Sequence, residues 1–228
     1  MKRVLVLTFL LLVSMSAVSA ASVDVGMSFG NGGSSFFLSI GDYFHVPQKE
    51  VIVVKERKIP DEEIPVVFFL AQRVNVAPAA IIDLRLKGQS WLDITLHFGQ
   101  GPEIFYVPVK ESVVFGPPYG KAYGHYKKKS KKEWKKIRLQ DDDVVNLVNL
   151  RFISEHYKYE PETVIKMREG GRKFSAISGE IEKEKGKGRK EDRQAKEEKK
   201  EHKKADKPDK EEKQEKGEKK EKGKGKKH

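Results

Sequence analysis

The chain of 228 residues has no cysteine. That excludes disulfides, thiolate metal sites, CxxCH haem attachment and a lipidated N-terminal cysteine. Its histidines, His45, His97, His125, His156, His202 and His228, show no paired ligand spacing. No nucleophile–base spacing proposes a catalytic centre either. The sequence therefore reads as that of a non-enzyme without cofactor or metal. Beyond one short N-terminal run, no apolar stretch approaches the roughly 20 residues that span a bilayer. Only 37% of the chain is hydrophobic, whereas 35% is charged, with a formal net charge of +12. Not all of it can be core.

The N-terminal run is the pattern of an export signal. Met1-Lys2-Arg3 is a basic start, Val4 to Val13 is apolar, and Val18-Ser19-Ala20 supplies the small residues a signal peptidase reads. Cleavage is expected after Ala20, or else after Ala21. The alternative, an uncleaved anchor, needs a longer apolar run. The mature chain is expected to be periplasmic or secreted, with no transmembrane span. Residues 21–58 carry alternating Val23, Val25 and Met27, then Asn31-Gly32-Gly33, then Phe36, Phe37, Leu38 and Ile40. Asn-Gly signals a hairpin, and Val51-Ile52-Val53-Val54 reads as extended, so a β-hairpin segment is expected here.

The centre of the sequence is used twice. Residues 69–94 align without a gap to residues 152–177. Phe69, Pro78, Ile82, Arg85, Gly88 and Ile94 recur as Phe152, Pro161, Ile165, Arg168, Gly171 and Ile177. Apolar answers apolar at Ile81/Val164, Leu84/Met167, Trp91/Phe174 and, one turn later, Phe98/Ile181. Each prolines' place suits the opening of a helix, and each glycine's suits a left-handed stop. The pattern predicts helix, turn, helix, tight turn, helix in each copy, with Trp91, Ile94 and Phe98 on one buried face.

Ala71, Asn75 and Ile81 stand at the spacing of a helix-turn-helix: a small residue, a turn residue four later, an aliphatic six after that. Ser154, Lys158 and Val164 are their equivalents. Each copy thus resembles a tri-helical, helix-turn-helix-type unit, and the layout resembles bacterial exported proteins of unknown function. Asn75 and Lys158 stand where that motif prefers glycine, and Ala77 and Glu160 stand at its capping position. The resemblance implies a second helix facing outward through Ala79, Ala80 and Asp83, and through Glu162, Thr163 and Lys166. Those faces are small and partly acidic, wrong for phosphates and base edges. Sequence-specific DNA reading is therefore not expected.

Between the copies, Gly116-Pro117-Pro118-Tyr119-Gly120 breaks the chain. It is followed by a basic strip of Lys121, Lys127, Lys128, Lys129, Lys131, Lys132, Lys135, Lys136 and Arg138 against a lone Glu133. Tyr119, Tyr123, Tyr126 and Trp134 are interleaved. Ammonium groups with aromatic rings suit a polyanion, charges for phosphates or sulfates and rings for stacking. The other reading is a solvated linker whose rings pack on the helices. Asp141-Asp142-Asp143 fits the acidic first turn of a helix better than a metal site. Over residues 181–228 there are 21 basic and 14 acidic residues and no aromatic, so that tail is expected to be disordered.

The expected fold class is mainly α: two tandem three-helix units, a small N-terminal β-hairpin segment and a disordered charged C-terminal tail. The divisions are a signal peptide (1–20), hairpin segment (21–58), helical repeat (59–110), linker (111–139), second repeat (140–181) and tail (182–228). The expected function is an exported binding or scaffold protein. It would contact an anionic polymer or the cell-envelope surface through strip and tail, and a protein partner through its repeats. The alternative is a non-specific nucleic-acid binder.

Overall fold

The computed structural model describes residues 33–110 and 115–188. The expected signal peptide and most of the tail lie outside them. The described chain is mainly helical, and among the described residues there is no strand. The helices are α1 (Gly33–Phe44), α2 (Gln48–Glu56), α3 (Ile64–Val74), α4 (Pro78–Leu86), α5 (Trp91–His97), α6 (Gly120–Lys128), α7 (Asp141–Tyr157) and α8 (Pro161–Arg168). A ninth, α9, covers 174–188. Among the described residues, no helix is long and apolar enough to cross a membrane.

The two matched stretches carry the same elements at the same places. Helices α3 and α7 both end on a residue in the left-handed region, Asn75 at φ 55° and Lys158 at φ 63°. Pro78 and Pro161 open α4 and α8 in their first turns, where a missing N–H removes no helical bond. Gly88 at φ 85° and Gly171 at φ 79° then turn the chain into α5 and α9, which begin at Trp91 and Phe174. The arginine at the end of each second helix lies over the aromatic that opens the third. Arg85 is 4.7 Å from the Trp91 ring and Arg168 is 4.6 Å from that of Phe174. Both rings are fully buried.

A third instance lies where a hairpin was expected. Thirty residues before α3 and α4, helices α1 and α2 follow the same course. Here α1 ends at His45, φ 53°, and α2 is followed by Lys58, φ 61°, in the place of Gly88. One backbone bond closes each helix end, from Val46 N–H to Gly41, Val76 N–H to Ala71 and Tyr159 N–H to Ser154, 3.0 Å in all three. The accepting residue is small each time. At Gly41 an added Cβ would lie 2.8 Å from Gln48 Oε1 and 3.2 Å from the Val46 carbonyl oxygen, so this turn leaves little room for a side chain. The aliphatics ten residues after it, Val51, Ile81 and Val164, are all fully buried. Val23, Val25, Met27 and Asn31-Gly32 lie outside the described residues; over 33–58 the hairpin expectation fails because burial overrides β-propensity. Phe36, Phe37, Ile40 and Phe44 fall on one helical face and are buried. Of Val51 to Val54, the buried pair is Val51 and Val54, at i and i+3, while Val53 faces out.

The first helices of the three instances form the centre. Helix α3 packs on α7 and α4, α1 on α2, α3 and α7, and α5 on α4 and α7. Their apolar faces share one core that includes Phe36, Phe68, Leu70, Phe152 and Ile153. Some of its buried polar groups are paired. The Tyr157 hydroxyl bridges those of Ser39 and Ser178, joining α1, α7 and α9. Asn149 on α7 donates to the Val145 and Glu62 carbonyls.

Carboxylates are exchanged between the matched stretches. Asp141, at the start of α7, accepts from the Trp91 N–H (2.8 Å) and from Arg85 (2.6 Å). Reciprocally, Glu62, just before α3, accepts from the Phe174 N–H (2.6 Å) and pairs with Arg168 (3.4 Å). Each carboxylate thus satisfies an orphan donor at the start of the other stretch's third helix. Glu63 completes the first cluster with a two-pronged pair to Arg85, 2.9 Å on both arms. Burial works against the Arg85 charge, but hydrogen bonds and attraction from Glu63 and Asp141 outweigh it, and its pKa is raised. Asp143 accepts from the Gln140 N–H in a capping box. The acidic triplet is therefore a helix start, and among the described residues no group of three or more His, Asp or Glu could hold a metal.

Candidate polyanion-binding surface

Residues expected as a linker are folded. The described part, 115–139, contains α6, a 3₁₀ turn over Lys131–Lys136 and ordered connections. Its tyrosines decide how it sits. Tyr119, Tyr123 and Tyr126 fall along α6 and its N-terminal flank and are exposed by 3% or less. The Tyr123 hydroxyl donates to the Val107 carbonyl (2.8 Å) and that of Tyr126 to the Pro102 carbonyl (2.6 Å). Burial raises all three hydroxyl pKa values well above their ordinary value, so the rings stay neutral anchors. Arg151 of α7 ties the same strand of chain from below, donating to the Ile104 and Tyr106 carbonyls.

Trp134 fixes the corner between α6 and the 3₁₀ turn. Its indole N–H is shared between the Tyr126 and Lys129 carbonyls, 3.2 Å to each. Its ring centroid lies 4.5 Å from that of Tyr106 and 5.0 Å from that of Tyr126. Ser130 starts the turn with a capping box, its N–H and hydroxyl both reaching the Glu133 carboxylate. The Ser130 hydroxyl and N–H hold the Glu133 pKa below its usual value. The strip's one acid is thus committed to the cap. Ile137 and Leu139, buried, return the chain to α7.

The cations face the other way. Lys121, Lys127, Lys128, Lys131, Lys132, Lys135, Lys136 and Arg138 are exposed, and Lys129 is half-buried. None of the nine has an ion-pair partner among the described residues. Lys127 lies 5.0 Å from the Phe115 ring, which itself stacks on Tyr123 at 4.2 Å. The strip residues thus lie in one folded segment in which the three tyrosines are buried while eight of the nine cations are exposed. The sequence leaves the rings open between a polyanion-binding strip and packing on the helices; in the structure the three tyrosines are packed. They recur at helical intervals, whereas the lysines are spread from α6 through the 3₁₀ turn.

Other singled-out positions are unremarkable or structural. Of the second-helix faces, Ala79, Asp83 and Lys166 are exposed, whereas Ala80, Glu162 and Thr163 are half-buried. Asp83 pairs with Arg57 and Glu162 accepts from the Lys110 N–H; both are carboxylates, which repel a phosphate rather than hold it. His97 is exposed at the end of α5 and His156 is half-buried beside Tyr43 and Phe152. The described start of the tail, 182–188, continues α9, and Lys185 there lies over the Tyr157 ring at 4.9 Å. No protein-family model, curated protein or solved structure matches the chain.

Proposed function

We propose that this is an exported, non-enzymatic binding or scaffold protein that holds an anionic polymer on its basic corner, with the charged tail adding attraction. In this reading, tandem three-helix units form the platform, the signal-like residues 1–20 are removed, and the repeats' outer faces are left for a protein partner. The observation that carries it is the two-faced segment 119–138. Its rings and its one carboxylate are used by the fold, while its eight exposed cations have no ion-pair partner among the described residues. Clustered like charge opposes folding. A surface with no function has no reason to concentrate it on an anchored corner.

Retention on immobilised heparin tests the reading. The full chain and a chain ending at residue 188 are both expected to be retained at low salt. Changing Lys127, Lys128, Lys129, Lys131 and Lys132 to glutamine in the shorter chain is expected to release it. If the shorter chain flows through while the full chain is held, the tail is the binding element and the corner is not.

A further inference from the structure

Resting on that reading, we infer that the corner takes its partner as a bare, flexible chain of oxyanions, by charge alone, with no ring stacking and no insertion into lipid. A nucleic acid is then only one polyanion among others, held through its phosphates. Three observations lead here. Binding single strands by stacking requires an aromatic face open to the base, and the three tyrosines of this segment are buried. Trp134, partly exposed, has its N–H committed to two carbonyls and its ring set against Tyr106 and Tyr126. Amphipathic membrane binding uses apolar side chains beside the cations, and the exposed large hydrophobics among the described residues, Leu38, Val53, Leu86 and Leu96, belong to α1, α2, α4 and α5. Phe115, half-buried, is stacked on Tyr123 with Lys127 over its ring, so what the described corner chiefly exposes is ammonium and guanidinium groups on an ordered support. They match phosphate, sulfate or carboxylate groups repeated along a flexible polymer. Most are lysines, which act as point charges and impose no planar, two-pronged geometry on the anion.

The test uses the full chain and the full chain with the five lysine-to-glutamine changes, so that any tail contribution is common to both. Probes are oligothymidylate, an abasic oligonucleotide of equal length, inorganic polyphosphate, heparin and vesicles containing anionic lipid. The two oligonucleotides are expected to bind the unaltered chain within about twofold of each other, because one stacked base alone contributes roughly fivefold or more. The five changes should weaken both equally, and polyphosphate and heparin should bind whereas vesicles bind more weakly than either. A thymidylate preference of about tenfold or more overturns charge-only recognition while leaving the polyanion reading intact. Vesicles outcompeting both polymers overturn the polymer in favour of a membrane surface. Binding that the five changes leave untouched, or none at all, removes the corner and with it the proposed function.

Discussion

At the scale of single residues, the most informative groups are the exchanged carboxylates. Glu62 belongs to the turn before α3 yet caps α9 at Phe174, so its loss acts on a helix more than a hundred positions away. Glu62→Ala is expected to cost about 1–2 kcal/mol in urea unfolding, as removal of an N-terminal cap does. Asp141→Ala should cost a similar amount through Trp91 and Arg85. Either variant melting as the unaltered chain does would make the exchange incidental. Trp91→Ala and Phe174→Ala, both fully buried, should each cost about 3–5 kcal/mol. Tyr119 differs because its buried hydroxyl has no hydrogen-bond partner among the described residues. Burial raises its pKa above the ordinary value of 10.0. Its contribution is therefore complete below the unfolded pKa and is lost as pH rises past it, since the unfolded chain then releases a proton that the native state still holds. Tyr119→Phe should match or exceed the parent in stability at about pH 8 and gain on it at about pH 10.5. A variant that falls further behind as pH rises would contradict this.

At the scale of elements, four helix ends among the described residues rest on side-chain-bearing residues, His45, Lys58, Asn75 and Lys158, in a conformation that favours glycine. Lys158, at φ 63°, carries that strain, whereas Asn75, at φ 55°, is of a residue type that tolerates this conformation better. Lys158→Gly is expected to raise stability by about 0.5–1 kcal/mol, and Gly88→Ala to lower it by about 1 kcal/mol. A Cβ at Gly88 meets nothing within 4 Å, so the loss there reports backbone conformation alone. Equal stability of Gly88→Ala and parent would refute the argument. These turns also explain what was legible. The matched pair was visible because Pro78/Pro161, Arg85/Arg168 and Gly88/Gly171 recur unchanged at helix starts, ends and turns. The α1–α2 instance was not. It shares only Val46/Val76 and Ile52/Ile82 with its neighbour as identities, has Lys58 for glycine, and opens after Asn31-Gly32-Gly33. Local chemistry there favours a hairpin, and only the burial of one face against α3 and α7 decides for helix. The fate of the strip's rings was left open between two readings for a related reason. Composition counts rings and cations together, whereas a helix sorts them onto opposite faces.

At the scale of the whole molecule, a shared helical core supports a corner whose cations form no ion pair among the described residues. Fold stability and binding should therefore separate: the exposed lysines contribute repulsion to the one and attraction to the other. The measurement that tests this most directly is the salt dependence of oligothymidylate binding, with melting temperature recorded on the same samples. For single strands the slope of log K against log salt is roughly −0.7 per phosphate neutralised. Changing Lys127, Lys128, Lys129, Lys131 and Lys132 to glutamine should make the slope shallower by about three units, with the melting temperature unchanged or higher. A slope equal to that of the unaltered chain, in a variant that still melts normally, would contradict the account.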